Sequence, residues 1–391
     1  MPRFEPFRAL RYAADLGPRV APPYDVLDDA QVDELQAGSE ENITRVDVPR
    51  GGPGRYAEAA ATLAEWVGRG VLVRDPEPSY TVYRLRFADA AGQPRDVVGV
   101  LGALEVVDLD AGGVLPHERT TPKDSTDRLE LTRATRANLS PVWGLSLASG
   151  LTALLAEPGE PVGRVRQDGV EHVWERVTDP ARVAAISERL AADDVLIADG
   201  HHRYAVSRTY RDEVRAAIGD RGTPAELTLA FVHELVADQL SVEAIHRLYD
   251  ADPGVLRAAL GQAFTLTPTD PPGPGTLEAM SAEGFLVLVT ARGAERLEPR
   301  PGAFEGVRSL DGAWLESALA GSGITPTYQH GLAEACAAVR SGRAGAAVLI
   351  RPVGVAEIER TAREGLLMPP KSTFFTPKLK TGAVLRPLDS P

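Results

Sequence analysis

A single cysteine, Cys336, stands in 391 residues. That excludes an intrachain disulfide framework, a cysteine-based zinc site and a dithiol redox pair. Positive charge is also short: 42 Lys and Arg face 55 Asp and Glu, a formal charge of -13. The balance argues against a general nucleic-acid binder, which carries a basic face. It leaves room for one locally positive cleft that holds a small phosphorylated molecule. Long hydrophobic runs are missing. The longest, Phe285–Val289 and Ala346–Ile350, have strand length, far below the roughly 20 residues that span a bilayer. The opening MPRFEPFRAL is interrupted by Pro2 and Pro6 and lacks the apolar core of a signal peptide. The expectation is a cytoplasmic protein with neither a membrane nor a nucleic acid as partner.

Common catalytic signatures are absent as well. There is no G-x-x-x-x-G-K-[ST] phosphate loop and no G-x-G-x-x-G after a strand. Gly144-Leu-Ser146-Leu-Ala148 fails the nucleophile elbow at its last position. His117-Glu118 and His233-Glu234 each begin like a metalloprotease helix, but Thr121 and Ala237 stand where the second histidine belongs.

What is present reads as a mixed α+β chain of two or three domains, with 43% hydrophobic and 25% charged residues. Helical spacing marks 56–67, 127–138, 180–191, 310–319 and 332–340, while strand-like runs mark 80–87, 97–104, 195–198, 227–236, 285–289 and 346–350. The first two runs, joined by Asp89–Pro94, form a hairpin. Pro271-Pro-Gly-Pro-Gly275 is the strongest linker signal. It divides the chain into a main domain, 1–270, and a C-terminal α/β domain, 276–391. No internal repeat is evident.

Five polar clusters carry the functional reading. In Ala21-Pro-Pro-Tyr-Asp-Val26 the prolines fix an extended backbone that orients Tyr24 and Asp25, or simply a rigid entry loop. In the second, His117 and Glu118 precede Lys123, Arg128, Arg133 and Asn138. A histidine beside a carboxylate, ahead of guanidinium groups, suits proton transfer near an anion. Arg128, Thr132 and Thr135 share a helical face, and Arg133 lies about 140° away. A solvated charged helix is the plain alternative. In the third, Asp199-Gly200-His201-His202-Arg203-Tyr204, a strand turns through Gly200 into a helix. Asp199 is expected to cap that helix, and its first N–H groups to face a phosphate. His246-Arg247 forms the fourth. The fifth is Met368–Gly382, in which Lys371, Ser372, Thr373 and Lys378 interleave with aromatics and prolines. It suits a segment closing over a phosphorylated ligand, and its plain alternative is a basic tail.

The strings APPYDV, NITRVDVPR, LPHERTTPK, DRLELTRATRANLSPVWGL, ADGHHRY and MPPKSTFFTPKLKTG occur in that order along nearly the whole chain. Together they resemble a bacterial and archaeal family, domain of unknown function 1015. Asp199-Gly-His-His-Arg203 is also similar to the phosphate-binding box of the ParB/sulfiredoxin fold. That likeness implies a ParB/sulfiredoxin-like core with additional N-terminal and C-terminal α/β elements. The superfamily includes chromosome-partitioning CTPases, sulfiredoxins and free-serine kinases that use ADP. His201 stands where sulfiredoxin has its catalytic cysteine, and the acidic charge disfavours a partitioning role.

What the resemblance leaves is a phosphoryl-transfer enzyme acting on a small phosphorylated metabolite: a nucleotide-dependent serine kinase, or a phosphoserine hydrolase or phosphotransferase. ADP or ATP, with Mg²⁺, is the cofactor it implies. His117, oriented by Glu118, is the candidate proton shuttle, with Asp25 and His201 as alternatives. Tyr24, Lys123, Arg128, Arg133, Asn138, Asp199, Gly200, His202, Arg203, His246, Arg247, Lys371, Ser372, Thr373 and Lys378 are the candidate phosphate and substrate ligands. A regulatory module that senses a nucleotide without chemistry, and a metal-dependent hydrolase built on His117, are the competing expectations. Neither substrate nor oligomeric state follows from the sequence.

Overall fold

The structure is a computed structural model, and it describes residues 1–89, 92–108, 111–116, 125–219 and 222–389. The chain forms two compact units. The first comprises Met1–Ser241 together with the segment from Pro377 onward, and the second is Val242–Thr376. The sequence reading places its boundary elsewhere, at 271–275. Pro271–Gly275 lies inside the second unit, between the strand Phe264–Thr269 and the helix Thr276–Glu283. Proline and glycine there make an ordinary strand-to-helix loop.

Among the described residues, the first unit is built on a nine-stranded mixed sheet. The order is Val114–Pro116, Val195–Asp199, Val142–Ser146, Leu227–Glu234, Pro94–Glu105, Tyr80–Ala88, Val170–Val177 and Glu160–Gln167. Phe4–Glu5 also pairs with Pro94–Glu105. The expected hairpin is there, antiparallel from Thr81↔Leu101 to Ala88↔Pro94.

Strand alternation sorts the apolar residues into two layers. Tyr80, Val82, Val98, Val100, Ala230 and Val232 enter one core together with Ile186 and Leu190. The last two come from the helix Pro180–Leu190, which Asp179 starts by accepting the Arg182 N–H at 2.8 Å. Proline in its first turn suits that position, where the N–H has no intrahelical partner. Residues of opposite phase, Tyr83, Trp143, Trp174 and Phe231, build the other layer: Tyr83 stacks on Trp174 at 4.8 Å and Trp143 meets Phe231 edge-on at 5.8 Å. Gly99 is required here, because a Cβ would lie 2.5 Å from the Phe231 ring. His233 belongs to this layer. It is fully buried, and burial lowers its pKa to about 3. Its neighbour Glu234 accepts the N–H groups of Gly150 and Thr152, at the start of the helix Leu151–Leu155.

The second unit carries a six-stranded antiparallel sheet. Leu256, Leu260, Phe264 and Leu315 pack in one of its cores, and Met280, Cys336 and Val339 in another. Burial pushes the Cys336 thiol pKa up. Among the described residues, no helix is long and apolar enough to cross a membrane.

Candidate functional site

The strand Val195–Asp199 ends beside Gly200, whose φ of 84° suits glycine and strains other residues. The helix His201–Ile218 follows, fixed by a buried face that includes Tyr204, Val206 and Arg211. The Tyr204 hydroxyl locks its first turn to the sheet, donating to the Glu105 carbonyl at 2.9 Å and accepting the Val107 N–H at 2.8 Å.

Asp199 does not cap this helix; no side chain does so at Gly200. Its carboxylate instead accepts from Lys378 Nζ at 3.2 Å and from Arg203 Nη2 at 3.3 Å. Two full cations outbid the helix N–H groups, because charge-assisted contacts are the stronger ones. Burial would raise the Asp199 pKa, but Lys378 and Arg203 outweigh it and hold the carboxyl well below its usual range. Burial likewise would lower the Arg203 pKa, and the fields of Asp199, Asp25, Tyr24 and Asp47 raise it instead. Arg203 Nη1 donates to the Pro141 carbonyl.

Beside Arg203 lies a cleft open to solvent, walled by Tyr24, Asp47, Arg128, Asn138, Ser140 and Arg203 among others. Pro23, extended at φ -60° and ψ 149°, leads into the single turn Tyr24–Val26. The Arg128 guanidinium sits over the Tyr24 ring at 4.2 Å and donates to the Asp47 carbonyl at 2.6 Å. It also holds Asp127 Oδ2 through Nε at 2.9 Å and Nη2 at 2.6 Å. Burial pushes the Tyr24 phenol up to about 12, although Arg203 and Arg128 pull the other way. Burial also raises the Asp47 pKa, against Arg128 and the Ser140 hydroxyl, which donates to Asp47 Oδ2 at 3.2 Å.

Tyr24, Asp25, Arg128, Asp199, Gly200, His201, His202, Arg203 and Lys378 therefore belong to one neighbourhood of the first unit. His201 is buried there, and Asp25 is exposed. Asp47, Ser140 and Thr381 were missed as site residues by the sequence reading. Asp47 and Ser140 lie inside quoted motif strings, but nothing in the residue pattern distinguishes a buried carboxylate from a surface one. Ser140 and Thr381 share a hydroxyl contact at 3.1 Å.

The remaining candidates divide. Arg133 points away from the cavity and pairs with Glu130 and Glu213 on an exposed surface, as its 140° offset from Arg128 requires. Asn138 lines the cavity but has its Oδ1 engaged by the Leu229 N–H at 3.0 Å and Arg386 Nη1 at 3.2 Å. His246, Arg247, Lys371, Ser372 and Thr373 lie in the second unit. His246 is a core side chain whose Nδ1 accepts the Ile350 N–H at 3.2 Å, and burial lowers its pKa to about 4. Arg247 Nη1 donates to the carbonyls of Ile245 at 2.6 Å and Lys371 at 2.9 Å. Ser372 Oγ donates to the Pro369 carbonyl at 2.7 Å, and Thr373 is buried. His117, Glu118 and Lys123 fall outside the described residues.

A corner where three cations meet one buried carboxylate, Asp47, and one half-buried carboxylate, Asp199, can exchange its internal acceptors for the oxygens of an anionic ligand. Among the described residues, no group of three His, Cys, Asp or Glu side chains forms a metal cage.

No curated protein matches the chain. Among solved structures, it is similar to a conserved hypothetical protein from Pyrococcus furiosus, at 13% identity and TM-score 0.39, over 71% of this chain and 90% of that one. It is also similar to a free serine kinase in complex with AMP, at 14% identity and TM-score 0.40, over 72% and 88%. A third is SbnI with C-terminal truncation from Staphylococcus aureus, at 13% identity and TM-score 0.41, over 74% and 87%. Likenesses of this size carry no argument, so the AMP in the kinase structure says nothing about ligands of this chain. The sequence itself is decisive: residues 4–313 match the family model described as "Protein of unknown function (DUF1015)", and the chain belongs to that family.

Proposed function

We propose that this protein transfers a phosphoryl group between a nucleotide, ADP or ATP, and a small metabolite, with serine or phosphoserine as the partner. The carrying observation is the convergence of Lys378 and Arg203 on Asp199 at 3.2 and 3.3 Å, where a strand turns through Gly200 into a helix. Arg128 adds a third cation to the cavity that Arg203 lines. Phosphoryl transfer is catalysed chiefly by placing such charges around the moving group.

In this reading Arg203 and Lys378 donate to the phosphate oxygens, and Arg128 neutralises charge at the Tyr24 side. The bond from phosphorus to the nucleotide oxygen breaks, its electron pair leaving on that oxygen. The serine hydroxyl oxygen forms the new bond and its proton passes to a base. Asp25, exposed and close enough for its charge to act on Arg203, is one such base, and His117 beside Glu118 is the other. His201, buried next to Asp199, is a third shuttle group. A ParB/sulfiredoxin-like core is part of the same proposal. Magnesium would rest mainly on phosphate oxygens and at most one or two carboxylates, the usual manner for that ion. When bound it would add charge neutralisation.

The test is calorimetry with ADP, ATP and CTP, paired with phosphorus NMR of mixtures containing serine or phosphoserine. Lys378→Met and Arg203→Met should each lower turnover about 100-fold, the cost of removing a positioned donor, while Arg133→Met leaves it unchanged. Nucleotide binding that ignores both substitutions would overturn the assignment. Tight binding with no transferred phosphate would replace the enzyme by a sensing module.

A further inference from the structure

Asp47 closes the short helix Thr44–Asp47, and the residues before it fix where it lies. The Asn42 side chain accepts the Thr44 N–H at 3.0 Å and the Thr44 hydroxyl at 2.8 Å, while Ile43 and Val46 are fully buried. Asp47 is thereby held in the wall of the cleft that Arg203 lines, only 4% exposed.

Ser140 stands in the same wall but is half-buried, so a molecule in the cleft can reach its hydroxyl. Two contacts place it at the end where Arg203 and Lys378 meet. Arg203 donates to the carbonyl of Pro141, the next residue. Thr381, whose hydroxyl lies 3.1 Å from that of Ser140, comes three residues after Lys378. Main-chain bonds of 3.1 and 2.8 Å to Ala21 hold Thr381 there.

These contacts run in one direction. An ionised carboxylate only accepts, so the Ser140 hydroxyl donates to Asp47 Oδ2, at 3.2 Å. That uses the one proton of Ser140, and the Thr381 hydroxyl therefore donates to Ser140 Oγ. A hydroxyl oxygen has two lone pairs. Thr381 takes one, and the other is left for a donor in the cleft, such as a substrate hydroxyl.

Arg128 and Arg203 favour the charged form of Asp47, as does the Ser140 hydroxyl. Burial and the charge of Asp25 oppose them, and Tyr24, pushed up to about 12, stays neutral beside it. Burial prevails and raises the Asp47 pKa, which makes its carboxylate a stronger base than a solvated one.

We infer that Ser140 is a catalytic residue that relays the substrate's hydroxyl proton to Asp47, which acts only through it. The inference rests on the phosphoryl-transfer reading and gives it a base other than Asp25, His117 or His201. As the substrate oxygen bonds to phosphorus, its proton passes to Ser140 Oγ and the proton of Ser140 passes to Asp47 Oδ2. The bond from phosphorus to the nucleotide oxygen breaks, its electron pair leaving on that oxygen. Asp47 ends the step neutral and returns the proton through Ser140 once product has left.

Turnover of the full-length protein with ADP or ATP and serine is followed by phosphorus NMR across a pH series. Wild-type kcat should fall as pH drops through the Asp47 pKa, because only the carboxylate accepts a proton. Ser140→Ala should lower kcat about 100-fold, the usual share of a positioned acid or base, with nucleotide affinity by calorimetry unchanged. Ser140→Thr, which keeps the hydroxyl, should recover most of that loss. Asp47→Asn should lower kcat comparably and abolish the acid limb of the profile. Circular dichroism reports whether each variant is folded, and if Asp47→Asn is not, the two Ser140 variants decide. Wild-type turnover in Ser140→Ala, or Ser140→Thr as slow as Ser140→Ala, overturns the relay. So does an acid limb that persists in folded Asp47→Asn or vanishes in Asp25→Asn. Each of those results leaves phosphoryl transfer standing, whereas a wild-type protein that moves no phosphate between these partners removes both.

Discussion

Two stretches of this chain pair histidine with arginine, and they do different work. His201-His202-Arg203 opens a helix just past a glycine turn, where Arg203 reaches a carboxylate and a cavity. His246-Arg247 sits inside the strand Ile245–Tyr249, where successive side chains point to opposite faces. His246 enters the core and accepts a backbone N–H, while Arg247 ties down main-chain carbonyls at 2.6 and 2.9 Å. The same residue types line a cavity at a turn and form fixed scaffold within a strand. Which role a basic pair takes is decided by where its donors end.

The largest expected effects would break or secure that contrast. Lys378→Met should reduce affinity for a nucleotide about 100-fold by calorimetry while the protein stays folded, whereas Arg247→Met should leave affinity intact and lower the melting temperature of the second unit. A reversed pattern would erase the distinction. Next comes the acid response of His246. Its folded pKa, about 4, lies below the unfolded value near 6.5. Its contribution is therefore present above pH 6.5 and is lost as pH falls toward 4, about 3 kcal/mol in all by the usual linkage. Replacing it by Asn should flatten the fall in urea stability of the second unit across that window.

Asp199 gives a smaller, separable effect. Its pKa is depressed in the folded protein, so the stability it adds is present above the unfolded carboxylate value near 3.9 and fades at lower pH. Asp199→Asn should cost about 2 kcal/mol at pH 7, and the gap from wild type should close as pH falls below 4 in matched urea titrations. The smallest change belongs to Arg133, an exposed surface partner of Glu130 and Glu213. Arg133→Ala should shift stability by only about 0.5 kcal/mol and leave ligand affinity alone, while Arg128→Ala on the same helix should weaken it.

Local periodicity made much of this legible. The Tyr80–Glu105 hairpin, the strand at 195–199 and the helix at 201–218 follow from spacing and from Gly200. Arg128 and Arg133 were separable by helical angle alone. What the sequence could not carry was the endpoint of a long side chain. Asp199 reads as a helix cap by position, yet Lys378 and Arg203 take it because full charges attract more strongly than N–H dipoles. Asp47 is buried by the fold around it, which no pattern in NITRVDVPR announces. That His246 accepts a backbone N–H and Arg247 donates to main-chain carbonyls follows from the strand that holds them, not from their types. Composition marks loops, and the chain leaves the first unit near Ser241 and rejoins it near Pro377 without a comparable run of proline and glycine.

That return has a bearing on how the molecule is made. Lys378, Thr381 and Arg386 emerge from the ribosome only after all of Val242–Thr376 has been synthesised. Until then Asp199 has no lysine, Ser140 no threonine hydroxyl and Asn138 no guanidinium. A chain clipped or stalled before Pro377 would retain all nine strands of the large sheet and still lack the lysine that pairs with Asp199. Completion of the polypeptide is in that sense a checkpoint, written into the order in which the fold receives its parts.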